Sequence, residues 1–591
     1  MQRSFPDVSN GSRVLITTRF LNVAKRADPR STPYQLQLLN DDESMKLLLK
    51  KAFPYEDAEA NCTNELLDIG LRLMHKCGGL PLALVVLGGL LSIKDKTPVV
   101  WRRVLETMDW AAEGRQCQEI LELSYEDLPY HMKSCFFYLG AYPEDYEISG
   151  NELIWQWIAE GFIPQEERKT MEDTGEAILE ELIQRSLIHV NMRKNDGSVK
   201  KCGVHDLLLD FARSAAKKDF FLTVCSNEND QPTYLASSRR VAFHNVDDTK
   251  INEISRVSTI HGLRTLMAFG LHYPPIDSPI FRFELLRVLD LTELTFVQRL
   301  PKKIELMIHL RYLRMGHVSC LPSSVGNFKS LETVILRQGT AISITLWKIK
   351  TLKHVQVGWA KPPQSLELKN LLTLENVEFG SYKTINWRFP NLRKLKVFID
   401  KEHRGTMLTH LLSELDHLIS LCICAAKDFP IGINTKDFPF HNHLLSLTLF
   451  GFWAKGDAVS EFPTCLTKLE LMNSRLEQDP MPKLERLQYL VTLKFFGNVY
   501  LGETIICSTG GFPSLKSLVI ARRSFKDGML NLEEWRIERG AMPKLAFLEL
   551  SSCNKLKVFP DLQHVMSLQK LEVFDLSQEL MLRLQREAGE D

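Results

Sequence analysis

Leu444-Leu445-Ser446-Leu447-Thr448-Leu449 and Leu466-Thr467-Lys468-Leu469-Glu470-Leu471 carry one pattern twice: a leucine, two residues, an apolar residue, one residue, an apolar residue. The same frame stands at Leu286-x-x-Leu289-x-Leu291, Leu310-x-x-Leu313-x-Met315, Leu392-x-x-Leu395-x-Val397 and Leu418-x-x-Leu421-x-Ile423. It returns at Leu515-x-x-Leu518-x-Ile520, Leu545-x-x-Leu548-x-Leu550 and Leu568-x-x-Leu571-x-Val573, with weaker copies starting at Leu263, Leu331, Leu352, Leu374 and Leu490. A single match is common in a leucine-rich chain, so the phasing carries the reading. Most starts fall 21 to 26 residues apart, while Leu374 to Leu392 and Leu515 to Leu545 fall outside that spacing. A proline often precedes the frame, as in Phe389-Pro390, Phe512-Pro513 and Met542-Pro543.

Each frame has the two-residue alternation of a short strand with its leucines on one face. One unit cannot bury those leucines alone, so units must stack. A repeat of roughly 20–29 residues with this pattern is a leucine-rich repeat. The expectation is a curved solenoid over residues 256–591. Its strands line the concave face, and the variable residues between the leucines make a broad surface suited to protein or peptide ligands.

The front half follows different periods. Gly11 to Arg19 reads as a buried strand, Val14 to Ile16, ending in Thr17, Thr18 and Arg19. In open α/β sheets ligands sit beyond the carboxyl ends of strands. Residues 40–128 read as helical, with Leu66, Ile69, Leu73 and Met74 at helical spacing. In Cys77-Gly78-Gly79-Leu80-Pro81 the glycines end one helix and Pro81 opens the next. Further on, Ile154, Trp155, Ile158 and Phe162 form an amphipathic helix stopped by Gly161, and Ala177 to Leu187 form a second. Leu187–Met192 and Val199–Val204 flank Asn195-Asp196-Gly197, a hairpin turn signal. Helices followed by a hairpin indicate a winged helix. Its second helix bears Glu176, Glu180 and Glu181, the wrong charge for DNA phosphates, so packing or regulation is the expected role. Val204-His205-Asp206 opens the next helix. Asp206 is placed to cap or complement its N-terminus, and His205 reads as a solvated or packed histidine, with reach to a bound phosphate as the alternative.

The totals narrow the function. The chain has 591 residues with 73 basic and 73 acidic side chains, so no net field draws it to nucleic acid or an anionic membrane. Twelve cysteines form no C-x-x-C pair, and Cys422 and Cys424 take alternate strand positions, so reduced thiols in a cytoplasmic protein are expected. The longest apolar run, Leu80 to Ile93, is too short for a bilayer and contains Pro81, Gly88 and Gly89; it reads as a buried helix. No secretory signal pattern precedes Arg19.

The order of segments resembles the plant intracellular immune receptors of the NB-ARC leucine-rich-repeat family, non-TIR (coiled-coil) type. The likeness rests on Gly11 to Arg19, Gly79 to Ala83, Leu123-Ser124-Tyr125-Glu126-Asp127-Leu128-Pro129, Cys135 to Asp145, Trp155 to Phe162 and Val204-His205-Asp206. Val204 stands where the family usually has methionine. The resemblance implies a multidomain α/β fold. Residues 1–35 would be the C-terminal remnant of a nucleotide-binding subdomain, 36–128 a helical subdomain, 129–225 a winged helix, 226–255 a linker and 256–591 the repeats. It further implies an ADP/ATP-controlled switch, not an enzyme. The repeats would recognise a pathogen effector or a guarded host protein, and an oligomer would signal. Carried over to this chain, Arg19 would sense the terminal phosphates, Pro81 would pack against adenine and His205 would bond the β-phosphate.

Two rivals lack their motifs: a cell-surface receptor needs a signal peptide and a membrane span, and a hydrolase needs a nucleophile elbow, a metal motif or a phosphate loop. A third, a truncated paralogue acting as decoy, regulator or remnant, fits the departure from the family. No G-x-x-x-x-G-K-[ST] loop occurs, and Leu36 to Asp42, superficially like the family's acidic strand, follows the Thr-Thr-Arg segment where a linker belongs. The expectation is therefore a chain that begins part-way through the nucleotide-binding domain. A phosphate loop supplies charge-assisted hydrogen bonds of roughly 1.5–3 kcal/mol each. Losing two or three costs about 5 kcal/mol, or three to four decades in affinity. This chain by itself is expected to bind ADP or ATP poorly. Near-stoichiometric ADP released from the purified, heat-denatured protein and quantified by chromatography would refute that.

Overall fold

The structure, a computed structural model, describes residues 15–18, 21–27, 32–55, 62–108, 116–194, 196–226, 238–246, 262–270, 283–292, 297–300, 302–316, 318–338, 340–378, 382–399, 404–425, 443–451, 462–522, 531–577 and 580. It divides into two compact units, Met1–Leu128 with Gln184–Ser186, and Pro129–Ile183 with Leu187–Asp591.

The first unit is helical where it is described. Leu15–Thr18 form no strand, and Leu15 is 92% exposed, contrary to the buried strand expected there. A strand needs ladder partners, and none lies among the described residues of this unit. Val14 and Arg19 lie outside the described residues. Helix α1 (Leu21–Ala27) buries nothing. Helix α2 (Asp41–Ala52) opens on a capping box in which Glu43 N–H donates to Asn40 Oδ1 and Asn40 N–H to Glu43 Oε2. Asp41 and Asp42 are thus the acidic first turn of a helix, not the end of a strand. Helix α3 (Asn64–Lys76) buries the face Leu66, Ile69, Leu73 and Met74. Pro81 is the first residue of α4 (Pro81–Ser92), which is buried from Ala83 to Leu91 except at Val85. Gly88 lets α2 pass close, because a Cβ there would stand 2.5 Å from Lys51 Cβ. Helices α5 (Pro98–Thr107) and α6 (Gln116–Glu126) complete the unit. No helix among the described residues is long and apolar enough to cross a membrane.

The second unit opens with the winged helix. Helix α7 (Tyr130–Leu139) and β1 (Ile148–Ser149) lead into α8 (Gly150–Glu160), which ends at Gly161 with φ +84° in the left-handed region. Helix α9 (Met171–Gln184) starts six residues before the Ala177 start expected from sequence. Asp173 N–H bonds Thr170 Oγ1 and Thr170 N–H bonds Asp173 Oδ2, and that reciprocal cap adds a turn the apolar pattern does not mark. Strands β2 (His189–Arg193) and β3 (Val199–Gly203) form the hairpin, and β1 pairs with β3. Helix α10 (Asp206–Lys218) follows.

Among the described residues the repeats build one parallel sheet of sixteen strands in chain order. They are β4 (Thr223–Cys225), β5 (Arg240–His244), β6 (Thr265–Phe269), β7 (Val288–Leu291), β8 (Tyr312–Met315), β9 (Thr333–Gln338), β10 (His354–Ala360) and β11 (Thr373–Glu378). The series continues with β12 (Lys394–Ile399), β13 (Ser420–Ala425), β14 (Ser446–Phe450), β15 (Lys468–Met472), β16 (Thr492–Phe496), β17 (Ser517–Ala521), β18 (Phe547–Ser551) and β19 (Lys570–Phe574). The middle apolar residue of each frame stands beside its neighbour in one column. Leu395 pairs with Leu421, Leu421 with Leu447, Leu447 with Leu469 and Leu469 with Leu493. These side chains are buried in one continuous core running from Cys225 to Leu580.

Three details differ from the sequence reading. The sheet begins before the first leucine frame, with β4 and with β5 inside the stretch read as a linker. Arg240-Val241-Ala242-Phe243-His244 lacks the frame yet pairs with β6 in register. Leu374 is the middle of its repeat, beside Val355 and Leu395, so that frame starts at Leu371 and the short gap falls between Leu352 and Leu371 instead of before Leu392. The long gap from Leu515 to Leu545 leaves the ladder intact, since Leu518 still pairs with Leu548. Its extra length includes Glu534–Ile537, which pairs with Thr504–Cys507 in a separate two-stranded sheet.

Candidate functional site

Within the second unit the winged helix lies on the outward-facing positions of the first repeat strands. Its helix α8 supplies an apolar patch: Trp155 and Ala159 pack with Val288 and Tyr312. The Trp155 ring stacks on His354, with centroids 4.1 Å apart and planes 18° apart. Among the described residues, the ion pairs that join these helices to the repeats have one polarity. The helices bring carboxylates and the repeats bring cations.

Glu160, the last residue of α8, has no exposed side-chain surface and binds Arg240 Nη2 at 2.7 Å through Oε2. Thr265 Oγ1 donates to its other oxygen, and Arg287 Nη1 reaches its carbonyl at 2.9 Å. The Arg240 guanidinium also lies over the Phe221 ring at 4.0 Å and the Phe162 ring at 4.9 Å. A buried carboxylate is tolerable only when paired and hydrogen-bonded, and both conditions hold here.

One turn away, Tyr142 hydroxyl donates to Gln156 Oε1 at 2.6 Å and Gln156 Nε2 donates to Asp290 Oδ2 at 2.9 Å. Arg314 bridges Asp290 at 3.4 Å and Glu152 at 3.0 Å. Burial disfavours the Arg314 cation, but Asp290, Tyr312 and Glu152 override it and hold the guanidinium charged well above its ordinary range. Burial likewise pushes the Glu152 carboxyl up, against the pull of Arg314.

Helix α9 continues the pattern. His354 Nε2 lies 3.2 Å from Glu172 Oε1, its Nδ1 lies 3.2 Å from Thr373 Oγ1, and Arg393 Nη1 reaches Asp173 at 3.3 Å. Burial lowers the His354 pKa more than Glu172 raises it, so the ring is neutral and donates Nε2–H to the carboxylate. Burial alone would raise Glu172, but the hydrogen bond from His354 reverses that and holds it below the usual range. His244 bonds the Ala141 carbonyl at 2.9 Å, and burial pushes its pKa down to about 4. Sequence reading gave the acidic helix a packing or regulatory role on the strength of Glu176, Glu180 and Glu181; the carboxylates of that helix that meet the repeats are Glu172 and Asp173, from the turn before. That reading missed Glu160, Gln156 and Asp290. The available signal was a polar residue inside each otherwise apolar run, Trp155-Gln156-Trp157-Ile158-Ala159-Glu160 and Val288-Leu289-Asp290-Leu291.

Of the three residues expected to hold nucleotide, Pro81 is in the first unit and His205 in the second. Arg19 lies outside the described residues. Pro81 is exposed at the start of α4. His205 is exposed in the second unit and is itself the N-cap of α10, the role sequence reading offered to Asp206. Its Nδ1 accepts from Leu207 N–H at 3.3 Å, which leaves Nε2–H of the neutral ring as a donor. Asp206, one residue inside the helix, complements the dipole instead. No group of three or more metal-ligating side chains occurs among the described residues, and the cysteines there are free thiols.

Comparison with known proteins adds three family matches: the NB-ARC domain over residues 1–58, the disease resistance protein winged helix domain over 141–212, and a leucine-rich repeat region over 262–588. Disease resistance protein RPP8 of Arabidopsis thaliana is 33% identical over 600 residues, covering 96% of this chain and 65% of that protein. Probable disease resistance protein RF9 of the same plant is 32% identical over 589 residues, covering 94% and 55% respectively. The chain thus spans less than two thirds of the length of these relatives. Among solved structures, a leucine-rich-repeat protein of Leptospira interrogans is 17% identical, covers 62% of this chain and 97% of its own, and has a TM-score of 0.35. At that TM-score the likeness carries no further argument.

Two outcomes follow from this interface. Glu160→Ala strands the buried Arg240 charge and is expected to cost about 3–5 kcal/mol in urea unfolding followed by tryptophan fluorescence. The double change Glu160→Leu with Arg240→Met is expected to recover most of that loss. A single-variant cost below about 1 kcal/mol would mean that the pair contributes little. For pH, His244 titrates near 6.5 when unfolded and about 4 when folded. Between those values the unfolded chain binds protons that the folded chain refuses, so stability falls as pH falls, by up to about 3 kcal/mol. His354 acts in the same direction. Unfolding midpoints at pH 7.5, 6 and 5 check this, and His244→Gln is expected to flatten the profile.

Proposed function

This chain belongs to the plant disease-resistance family built from NB-ARC, winged-helix and leucine-rich-repeat parts, and we propose that it acts as an intracellular immune receptor. The repeats are the recognising surface, and the winged helix is the element that responds to what they bind. The carrying observation is the clamp at Glu160, Gln156 and His354. It ties the winged helix to strands whose outward positions would otherwise face a ligand. A ligand contacting the neighbouring repeats competes with, or strains, a set of buried polar contacts that have no graded intermediate. A pathogen-derived protein or a host protein altered by a pathogen is the class of ligand this reading takes. The output is assembly and signalling, with no reaction catalysed.

The family's NB-ARC domain implies ADP or ATP, and the match to that domain in this chain covers residues 1–58. The sequence has no Gly-rich loop with its lysine, and Leu15–Thr18 form no strand end to carry a phosphate site. Arg19, Pro81 and His205 keep their proposed roles only where the remaining nucleotide-binding elements accompany them. A second reading is a regulator or decoy that binds ligand without signalling.

Disruption of the gene in the plant separates the readings. A receptor is expected to show loss of resistance to particular pathogen isolates, with localised cell death in the intact plant that vanishes on disruption. Unchanged disease and cell-death outcomes across isolates would remove the receptor reading. Altered resistance without any cell-death response would select the decoy.

A further inference from the structure

Strand β13 carries two thiols on its outward face. Cys422 and Cys424 alternate with the buried Leu421, Ile423 and Ala425, so both stand on one side of the strand, half-buried. Their sulfurs are 3.9 Å apart, and each thiol is the other's hydrogen-bond partner. Parallel register sets Lys396 and Thr448 on either side of Cys422, and Phe398 and Phe450 on either side of Cys424. Glu470 lies one strand further, where it accepts from Thr448 Oγ1 at 3.1 Å.

Geometry decides what two sulfurs at this separation can do. Side chains two positions apart on a strand have Cβ atoms roughly 6.6 Å apart. A disulfide needs about 3.8 Å between them, so a Cys422–Cys424 bond would pull β13 out of its ladder. A metal ion between the sulfurs makes no such demand. Two metal–sulfur bonds of about 2.3 Å span any separation up to about 4.6 Å, and 3.9 Å falls inside that reach.

The surroundings select the ion. Zinc takes four ligands. The ladder neighbours of the pair are an ammonium, a hydroxyl and two phenyl rings, and no group of three or more candidate ligands occurs among the described residues. Two soft sulfurs without a nitrogen or oxygen ligand suit a soft monovalent ion such as Cu(I). The hydrogen bond with Cys424, then burial, push the Cys422 thiol far above its ordinary range, so at neutral pH the site starts protonated. Of the charges that reach Cys422 from other strands, Lys396 favours its thiolate and Glu470 opposes it. Binding is therefore an exchange. Two S–H bonds break, two metal–sulfur bonds form and two protons leave to solvent, with no change of oxidation state.

We propose that Cys422 and Cys424 together bind one soft monovalent cation of the Cu(I) type, in two-coordinate geometry, on the outward face of β13. One cation held by two thiolates carries a net negative charge, so the bound ion turns a neutral spot of the repeat face into an anionic one.

Anaerobic titration of the full chain with Cu(I) held by bicinchoninate, in ascorbate, tests it. One ion per chain is expected to leave the indicator, and X-ray absorption at the copper edge to show two sulfur neighbours and no nitrogen. Loss of an outer partner of a metal ligand costs roughly 10–100-fold in affinity, so Cys422→Ser or Cys424→Ser, each removing a ligand itself, is expected to cost about a hundredfold or more. Cys320→Ser with Cys465→Ser, the same change at half-buried thiols elsewhere in the repeats, is expected to leave binding unchanged. Release of two protons makes the apparent affinity rise with pH, by up to about a hundredfold per unit, a readout that needs no variant. No ion held against the indicator, binding that survives either ligand substitution, equal loss in the Cys320 and Cys465 variant, an affinity indifferent to pH, or Zn(II) held as tightly as Cu(I) would overturn the proposal.

Discussion

No single repeat of this chain can bury its own leucines, and the second unit is organised around that constraint. The column from Leu395 through Leu421, Leu447 and Leu469 to Leu493 is dry because each strand hydrogen-bonds to the next in parallel register. Cooperation between neighbours replaces a central core. The same register fixes which residues face outward, so a binding surface is a by-product of burial. Apolar rows and charged rows run straight across the sheet because strand spacing is constant and side chains alternate.

A sheet built this way presents a long face, and part of it is already covered. The winged helix covers it with an arrangement costly to half-break: Glu160 is wholly buried against Arg240, and Gln156 joins Tyr142 to Asp290. Removing one member of such a network leaves another unsatisfied in a low-dielectric setting, so the contact is either made or lost as a set. That is the physical requirement for a responsive joint, as opposed to a sliding one. The neutral histidines, His244 and His354, add the weakness at low pH that buried imidazoles confer.

Much of the fold was legible from residue order. The leucine frame, the Gly161 stop, the Pro81 start and the hairpin around Gly197 each follow from local preferences that act within a few residues. Where reading failed, the deciding contact was distant. Arg240–His244 has no leucine frame and becomes a strand because β6 offers it a ladder. Leu15 has no such neighbour among the described residues and stays exposed. Met171 begins α9 through a cap with Thr170 and Asp173 rather than through apolar periodicity. The nucleotide contacts were read by resemblance. Of them, His205 has its Nδ1 held by the helix it caps.

By itself the sequence determined the repeat period, the strand faces and the winged-helix order, because each is written in local spacing or in the presence of a motif. Tertiary structure alone decided which polar residues meet. Glu160 and Arg240 are eighty positions apart, and Glu172 and His354 more than twice that. No local pattern couples such residues. Their pairing depends on the winged helix being set down on particular strands, where burial makes each charge require its partner.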